Sequence, residues 1–244
     1  MPPPDAPAER LVPRRLLIGT IVVAAVLGTA MGIGAAVVFG AYKMPAGSMW
    51  PTLKVGERIL ANRYQKQPDR GAIIVFHFPE HRDQLFVKRV VGLPGDRIAV
   101  AKGGELSING WKVPRCNVGR GWFRSDDPGD SKHEGMLAVE FLGKATYLVF
   151  EDEAFGALAD AEALEWNVAA GEYFVIGDNR KNSHDSRMWF GGKGGGVPAA
   201  DTVGTVYGRD EVQLPKGEGT DGLAPGLAAC LAKRPPQTEP PRPR

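Results

Sequence analysis

The chain has 244 residues, of which 43% are hydrophobic and 24% charged, and this size and composition predict a globular protein of one or two domains. Thirty basic against 28 acidic side chains leave a net charge of +2, which excludes a protein that wraps nucleic acid. Two cysteines, Cys116 and Cys230, are too few for a disulfide-rich scaffold or for a zinc site built from cysteine alone, and we expect no structural disulfide.

The first predicted element is an uncharged apolar segment that runs from Leu16 to Tyr42. A helix of this length would span about 40 Å, which exceeds the roughly 30 Å hydrocarbon core of a bilayer. It is also longer than the apolar region of a cleavable signal peptide. We therefore predict a single transmembrane anchor over residues 16–42.

Charges beside this segment predict its orientation. Arg10, Arg14 and Arg15 precede it, and such an excess of basic residues favours the cytoplasmic side of a membrane. The N-terminus would then lie inside and the large C-terminal part outside. Small residues occupy every fourth position from Gly28 to Gly40, a pattern that could pack two helices together or belong to an anchor without a partner. We expect a monomer.

Prolines cluster at both ends of the sequence. Five of the 20 prolines fall in residues 1–13 and seven in residues 215–244. Segments of this composition bury too little apolar surface to fold. We therefore predict a disordered cytoplasmic tail over residues 1–15 and a Pro-rich disordered tail over residues 215–244.

Between the anchor and the second tail, the sequence alternates between short runs of β-branched or aromatic residues and turns. Asn109-Gly110 predicts a two-residue β-hairpin, and a helix is expected only around residues 152–164. Strands and helices do not alternate, which argues against a parallel sheet. We predict a mainly β, antiparallel catalytic domain over residues 43–214, with residues 102–172 as a smaller inserted β-rich subdomain.

Ser48 is the first candidate for chemistry. It lies a few residues beyond the anchor, between Gly47, which lets the backbone approach another group closely, and Pro51, which prevents a helix from starting there. A serine on such a constrained loop is a plausible nucleophile, although a turn beside a membrane would have the same sequence.

A serine nucleophile needs a base, and Lys88 is the better candidate for it. The four histidines, at 77, 81, 133 and 184, stand in no triad context, and the Gly-x-Ser-x-Gly and Ser-x-x-Lys patterns are absent. Lys88 interrupts a strand-like run in which Phe86 and Val90 share its face. Among apolar side chains a lysine loses hydration and its pKa falls; alternatively, Lys88 faces solvent on a half-exposed strand.

The polar segment from Gly177 to Arg187 follows a predicted strand. Its hydrogen-bonding side chains could orient a neighbouring catalytic group, or they could form an ordinary polar turn. Cys, His and Asp residues show no metal-ligand spacing anywhere in the chain, and we expect neither a metal nor another cofactor.

Taken in order, these segments resemble the type I signal peptidases, which are membrane-anchored Ser/Lys proteases. Four sequence boxes carry the resemblance, at residues 47–53, 70–76, 88–96 and 177–187. The resemblance is weak over residues 102–172 and absent from residues 215–244. It implies a catalytic domain of the signal peptidase type after the anchor.

The resemblance also implies roles for individual residues. Ser48 would be the nucleophile and Lys88 the general base. Ser183 would hydrogen-bond the lysine and orient it. The remaining supporting residues would be an ion pair and two residues that shape the same corner, namely Asp185, Arg187, Asp178 and Asn179.

The substrate of this family binds as an added strand with small side chains in shallow apolar pockets. The matching wall positions are Tyr42, Met44, Pro45, Met49, Leu53, Ile59, Val75 and Val87. The implied function is removal of signal peptides from exported preproteins, after Ala-x-Ala-like sequences, on the outer face of the bacterial inner membrane. The implied partners are signal peptides and the lipid bilayer, with no nucleic acid.

Ala46 departs from the family, because many members carry there a Ser or Thr whose hydroxyl is a second oxyanion donor. Lys181 and Ala72 replace common acidic residues, and we expect those changes to affect supporting pairs only. Two alternatives to a general signal peptidase stay open. One is a related peptidase dedicated to one substrate, such as a pilin; the other is a silent, membrane-tethered β domain that binds peptides.

Overall fold

A computed structural model describes residues 26, 28, 29, 34, 37–101, 104–124, 132–153, 164–209, 212–216, 219–236 and 238–241. Two compact units divide the chain, Met1–Phe39 and Gly40–Arg244. In the first unit the described residues before Phe39 are helical. Within the described part of the chain, no helix is both long and apolar enough to cross a membrane.

Most of the second unit is β-structure. The described strands are β1 (Phe39–Lys43), β2 (Arg58–Asn62), β3 (Ile73–Phe78), β4 (His81–Gly92), β5 (Arg97–Val100), β6 (Leu106–Ile108), β7 (Trp111–Lys112), β8 (Arg115–Arg124), β9 (Lys132–Leu142), β10 (Ala145–Asp152), β11 (Leu164–Asn167), β12 (Glu172–Ile176), β13 (Val197–Pro198) and β14 (Thr202–Val206). Short 3-10 helices cover Gly47–Met49 and Ala199–Asp201, and helices cover Trp189–Gly192 and Ala224–Ala232.

These strands form three sheets. The largest has the order β1-β2-β14-β3-β4-β12-β13, and the two smaller sheets have the orders β10-β9-β8 and β11-β5-β6-β7. The pairings between neighbouring strands with a defined register are antiparallel, so the predicted mainly β, antiparallel fold is confirmed. Both small sheets lie between β4 and β12 in sequence and begin at Arg97, before the predicted insertion over residues 102–172.

The predicted hairpin at Asn109-Gly110 is also confirmed. Ile108 pairs with Trp111 across a two-residue turn. Both turn residues have positive φ, 54° at Asn109 and 80° at Gly110, which is the backbone conformation that a tight hairpin requires.

Predictions near the ends of the chain compare less well with the structure. The tail predicted over residues 1–15 and most of the anchor over 16–42 lie outside the described residues. Phe39 to Tyr42, however, belong to β1, because pairing with β2 satisfies their backbone groups. The helix expected around residues 152–164 lies largely outside the described residues, and its two end residues belong to β10 and β11.

The expected disordered tail over residues 215–244 contains the helix Ala224–Ala232. Leu223, Leu227 and Cys230 recur at helical spacing, and the last two are buried. The expectation of no structural disulfide is wrong, since Cys116 in β8 and Cys230 form one with their Cα atoms 5.6 Å apart. The high proline content of residues 215–244 led to the prediction of disorder, although the helix within them has an apolar face.

Buried charges connect the large sheet to the small ones. Arg180, four residues after β12, pairs with Glu140 of β9, and one of its contacts is 2.7 Å long. Tyr147 of β10 donates a hydrogen bond of 3.0 Å to the same carboxylate. Burial, followed by the nearby Glu140 charge, raises the pKa of Tyr147 well above its ordinary value.

We expect Glu140→Gln to lower the free energy of unfolding by about 3–5 kcal/mol, because it leaves the buried Arg180 charge without a counter-ion. Urea unfolding followed by tryptophan fluorescence measures the change. Glu105→Gln is the control, since Glu105 and Lys112 form an exposed pair that contributes about 1 kcal/mol or less. Equal effects of the two substitutions would contradict a structural role for the buried pair.

Candidate active site

Ser48 lies in a loop that its apolar neighbours fix to the core. The 3-10 helix Gly47–Met49 closes with a hydrogen bond from the Trp50 amide to the Gly47 carbonyl oxygen, 3.0 Å long. Met49 and Leu53 are fully buried, and the Leu53 amide donates to the Met49 carbonyl oxygen at 2.9 Å. These side chains point inward, which leaves Ser48 half-buried at the surface of a cleft.

Lys88 of β4 reaches this serine. Its Nζ lies 2.7 Å from Ser48 Oγ and 3.2 Å from the Val87 carbonyl oxygen. The side chain is on a buried stretch of the strand and is only 4% exposed, so the alternative of a solvent-facing lysine does not describe it. The Phe86 ring, predicted to share its face, lies 5.3 Å from Nζ.

The surroundings of Lys88 favour its neutral form. The pKa falls from 10.5 to about 8, and desolvation by burial is the largest cause. The charge of Asp185 opposes this fall, that of Arg187 adds to it, and that of Asp178 opposes it. About a tenth of the amine is therefore unprotonated at pH 7, far more than for an ordinary lysine, and can accept a proton from the serine hydroxyl.

The segment after β12 supports the serine loop from behind. The Asn179 amide donates a 3.1 Å hydrogen bond to the Ser48 carbonyl oxygen, and its side-chain Nδ2 donates to the Gly47 carbonyl oxygen at 3.3 Å. Gly177 lies where a side chain would not fit, because a Cβ there would come within 2.5 Å of that Ser48 oxygen. This close approach requires a residue without a side chain.

Two buried ion pairs flank this segment. Arg187 binds Asp185 through two contacts of 2.7 Å, and Asp185 also accepts a hydrogen bond from the Gly177 amide at 2.9 Å. Burial alone would raise the pKa of Asp185, but Arg187 and that amide keep it below its ordinary value. Arg89 of β4 binds Asp178 at 2.6 and 2.8 Å. Each carboxylate near Lys88 is thus paired with its own arginine.

Ser183 does not make the expected hydrogen bond to Lys88. Its Oγ is buried, and its hydroxyl acts instead on the Asp185 carboxyl, whose pKa it helps to lower. The Lys88 amine instead contacts Ser48 Oγ and the Val87 carbonyl oxygen. Ser183 Oγ lies against Gly177, within 2.2 Å of where a Cβ on that glycine would be.

A cleft of about 570 Å³ contains Ser48 and Lys88 on its surface. Of the predicted wall residues, five line it: Tyr42, Met44, Pro45, Val75 and Val87. The other three, Met49, Leu53 and Ile59, do not reach the cleft but are buried directly behind it in one core with Met44, Val75 and Val87. Ala46 also lines the cleft and carries a methyl group where a hydroxyl was expected.

The cleft is also lined by residues to which the sequence analysis assigned no role. Phe123 and His133 line it, and His133 Nδ1 lies 2.7 Å from the buried Asp152 carboxylate. The Phe123 ring stacks between His133 and Trp50, with centroid distances of 4.7 and 4.5 Å. The sequence shows that β8 and β9 contain aromatic residues and a histidine, but this content does not predict where they lie relative to Ser48.

A larger cavity of about 650 Å³ lies elsewhere, between Thr52, Tyr147 and Arg209, and contains neither Ser48 nor Lys88. In the part of the chain that the structure describes, no group of three or more His, Cys, Asp or Glu residues could hold a metal ion. The Ser48–Lys88 contact is therefore the arrangement with evident chemistry.

Comparison with known proteins identifies the family of this chain. The family model described as signal peptidase, peptidase S26, matches residues 15–209. The chain belongs to this family. The match includes both Ser48 and Lys88, and it ends before the helix Ala224–Ala232.

Individual relatives carry the same family name. A protein named signal peptidase I from Pseudomonas aeruginosa is 34% identical over 70% of this chain and 61% of its own length. One of that name from Pseudomonas fluorescens is 34% identical over 61% of this chain and 54% of its own length. The chain thus spans about half to three fifths of these relatives.

The solved structures include a signal peptidase I from Enterococcus faecalis V583, which is 26% identical. The match covers 58% of this chain and 97% of the other, with a TM-score of 0.32.

We expect Lys88→Met to raise the free energy of unfolding by about 3 kcal/mol at pH 7, since a pKa of about 8 rather than 10.5 costs about 1.4 kcal/mol per pH unit. Below about pH 8 the folded wild type carries this desolvated charge. Between about pH 8 and 10.5 only the unfolded chain binds the proton, so wild-type stability rises with pH there.

Urea titrations at pH 7 and pH 10 measure both effects. Lys144→Met serves as the control, because the Lys144 side chain is 89% exposed. If the difference in unfolding free energy between the wild type and Lys88→Met is the same at pH 7 and pH 10, the lowered pKa is contradicted.

Gly177→Ala should displace the serine loop, because its new methyl group would meet the Ser48 carbonyl oxygen and Ser183. We expect a loss of about 1–3 kcal/mol in unfolding free energy and a longer distance between Lys88 Nζ and Ser48 Oγ in a crystal structure. The control is Gly34→Ala, where no atom lies within 4 Å of the added group. An unchanged distance would show that the loop does not depend on this approach.

Proposed function

We propose that the protein is a serine endopeptidase that removes N-terminal signal peptides from exported proteins by cutting after small residues. The observation that carries the proposal is the 2.7 Å contact between Ser48 Oγ and a buried Lys88 amine whose pKa is lowered to about 8. Membership of the signal peptidase family supports it, as does the name of the relatives, signal peptidase I.

In the proposed mechanism, neutral Lys88 accepts the hydroxyl proton while Ser48 Oγ attacks the scissile carbonyl carbon. The resulting oxyanion accepts a hydrogen bond from the Ser48 backbone amide. When the tetrahedral species collapses, the C–N bond breaks and the Lys88 ammonium gives its proton to the leaving amine. Water then attacks the acyl-enzyme while Lys88 takes a proton from it. When the ester C–O bond breaks, the Lys88 ammonium returns this proton to Ser48 Oγ, and the signal peptide leaves with a free carboxyl end.

The supporting residues hold this pair in position. We propose that Asn179 holds the backbone of the Ser48 loop in place through its two hydrogen bonds. Asp178 and Asp185 are assigned to fixing Arg89 and Arg187, and each arginine offsets part of the attraction of its carboxylate for the Lys88 proton.

Specificity for small side chains follows from the apolar cleft. The substrate would lie as an extended strand along Tyr42, Met44, Pro45, Val75 and Val87. Met49, Leu53 and Ile59 fill the space behind these walls, so alanine-sized groups fit next to the scissile bond and larger ones do not. This accounts for cleavage after Ala-x-Ala-like sequences.

For the whole chain we propose one transmembrane anchor over residues 16–38, ahead of β1, and a catalytic domain that begins with β1 on the outer face of a bacterial plasma membrane. The apolar length of the anchor and the three arginines before it support this orientation. Signal peptides and the bilayer would be its partners, and it would act as a monomer. Few residues separate Ser48 from the anchor, so the cleavage site would meet the enzyme near the membrane.

A second candidate is a silent domain that binds peptides without cutting them. Ala46 favours it, since a missing oxyanion donor costs about 10²–10³ in rate in other serine proteases. The Ser48–Lys88 contact favours the enzyme, and one assay separates the two functions.

The assay is cleavage of an Ala-x-Ala peptide by the full chain in detergent, as a function of pH. We expect kcat/KM to rise about tenfold per pH unit below about pH 8 and to level off above it, because only neutral Lys88 is a base. Ser48→Ala and Lys88→Ala should each lose at least about 10³-fold in rate, whereas the exposed Lys144→Ala should match the wild type.

Activity that survives Lys88→Ala would place the base elsewhere and overturn the mechanism. A wild type that binds the peptide but does not cut it at any pH would favour the silent domain.

A further inference from the structure

The C-terminal segment is the least expected part of the structure. Its described residues from 219 to 241 lie beyond residue 209, where the family match ends. They nevertheless contact both small sheets. Neither the catalytic pair nor the cleft includes them, so their contacts need a separate explanation.

The helix Ala224–Ala232 packs tightly on β8. A Cβ added to Gly226 would lie 2.3 Å from the Val118 carbonyl oxygen, so the helix touches the strand backbone. Leu223 meets the strand at Gly119, where a Cβ would lie 2.6 Å from it. The disulfide between Cys116 and Cys230 joins the same two elements.

Beyond the helix the segment continues across the small sheets. Thr238 and Gly143, in the turn between β9 and β10, exchange two hydrogen bonds of 2.8 Å. Arg234 donates to Thr146 Oγ1 at 3.0 Å. The Asn109 side chain, in the β6–β7 hairpin, donates to the Pro241 carbonyl oxygen at 2.7 Å. The segment therefore spans from β8 to the β6–β7 hairpin.

The helix shares a hydrophobic core with the serine loop. Leu227 and Cys230 belong to the same buried cluster as Trp50, Phe123 and Phe150. Trp50, two residues after Ser48, stacks on Phe123 and meets Phe150 edge-on, with centroid distances of 4.5 and 4.6 Å.

Phe123 also packs against Gly47, where a Cβ would lie 3.2 Å from its ring. Because protein cores are close-packed and transmit small displacements, a shift of the helix would reach both sides of Ser48.

We propose that residues 219–241 form a strap, fixed by the Cys116–Cys230 disulfide, that positions the serine loop through Trp50. This inference rests on the proposed peptidase function. Two cysteine thiols form the disulfide by passing two electrons and two protons to a disulfide-containing oxidant, as in exchange reactions outside the cytoplasm. Full activity therefore requires an oxidising compartment, and the reduced chain has a loosely held nucleophile.

The test compares the oxidised wild type with a Cys116→Ser, Cys230→Ser double variant and with Gly226→Ala, which retains both cysteines. Alanine favours a helix more than glycine does, so any loss in Gly226→Ala comes from the contact with Val118. The exposed Ala228→Ser is the matched control on the same helix. Cleavage of an Ala-x-Ala peptide is measured at 10–25 °C, together with hydrogen exchange of the amides of residues 47–53.

We expect both strap variants to lower kcat by about 10- to 100-fold, as small misplacements of reacting groups do, while KM changes less than about twofold. The pH at which the rate levels off should stay the same, because Lys88 keeps its surroundings. Exchange at residues 47–53 should rise. Dithiothreitol should have the same effect on the wild type, reversible on reoxidation, and no effect on the double variant.

Unchanged kcat and unchanged exchange in the folded double variant would overturn the strap. If the double variant does not fold, Gly226→Ala provides the test instead. A Gly226→Ala variant with the same kcat and the same exchange at residues 47–53 as the wild type would also overturn the proposal. A wild type that never cuts the peptide, but whose exchange at residues 47–53 rises on reduction, would overturn the peptidase function and leave the strap as a support for the loop.

Discussion

The site depends on keeping one lysine amine out of water. Removing the hydration of Lys88 costs free energy in the charged state, and this cost is what makes the neutral amine available beside Ser48. The fold provides the burial by placing Lys88 in the middle of the large sheet, between β3 and β12. A protein selected only for stability would have an apolar residue there.

Burial alone would not produce this state, because a carboxylate near the amine would restore its proton. Two aspartates do lie close enough to raise the pKa of Lys88. Each is bound by its own arginine, Asp185 by Arg187 and Asp178 by Arg89, so its charge is largely compensated. The polar segment after β12 therefore acts on the reaction through electrostatics as well as through the shape of the loop.

Much of the large sheet and of the serine–lysine contact could be predicted from local sequence. Period-two alternation predicts that Lys88 lies on an apolar face, and Asn109-Gly110 specifies a hairpin without any tertiary information. The Cys116–Cys230 disulfide could not be predicted, since 114 residues separate the cysteines and one lies in a Pro-rich region. Phe123 was missed and His133 was set aside for a similar reason, because their place beside the cleft depends on how a small sheet docks on the loop.

The depth of the cleft is set by core residues that lie behind its walls. Met49, Leu53 and Ile59 are buried side chains of the core, yet they back the walls that a substrate side chain would touch. In the proposed peptidase, selectivity and core packing would be one property at this place. A change in substrate size preference would then arise even from a residue that no substrate contacts, and it would alter the stability of the fold at the same time.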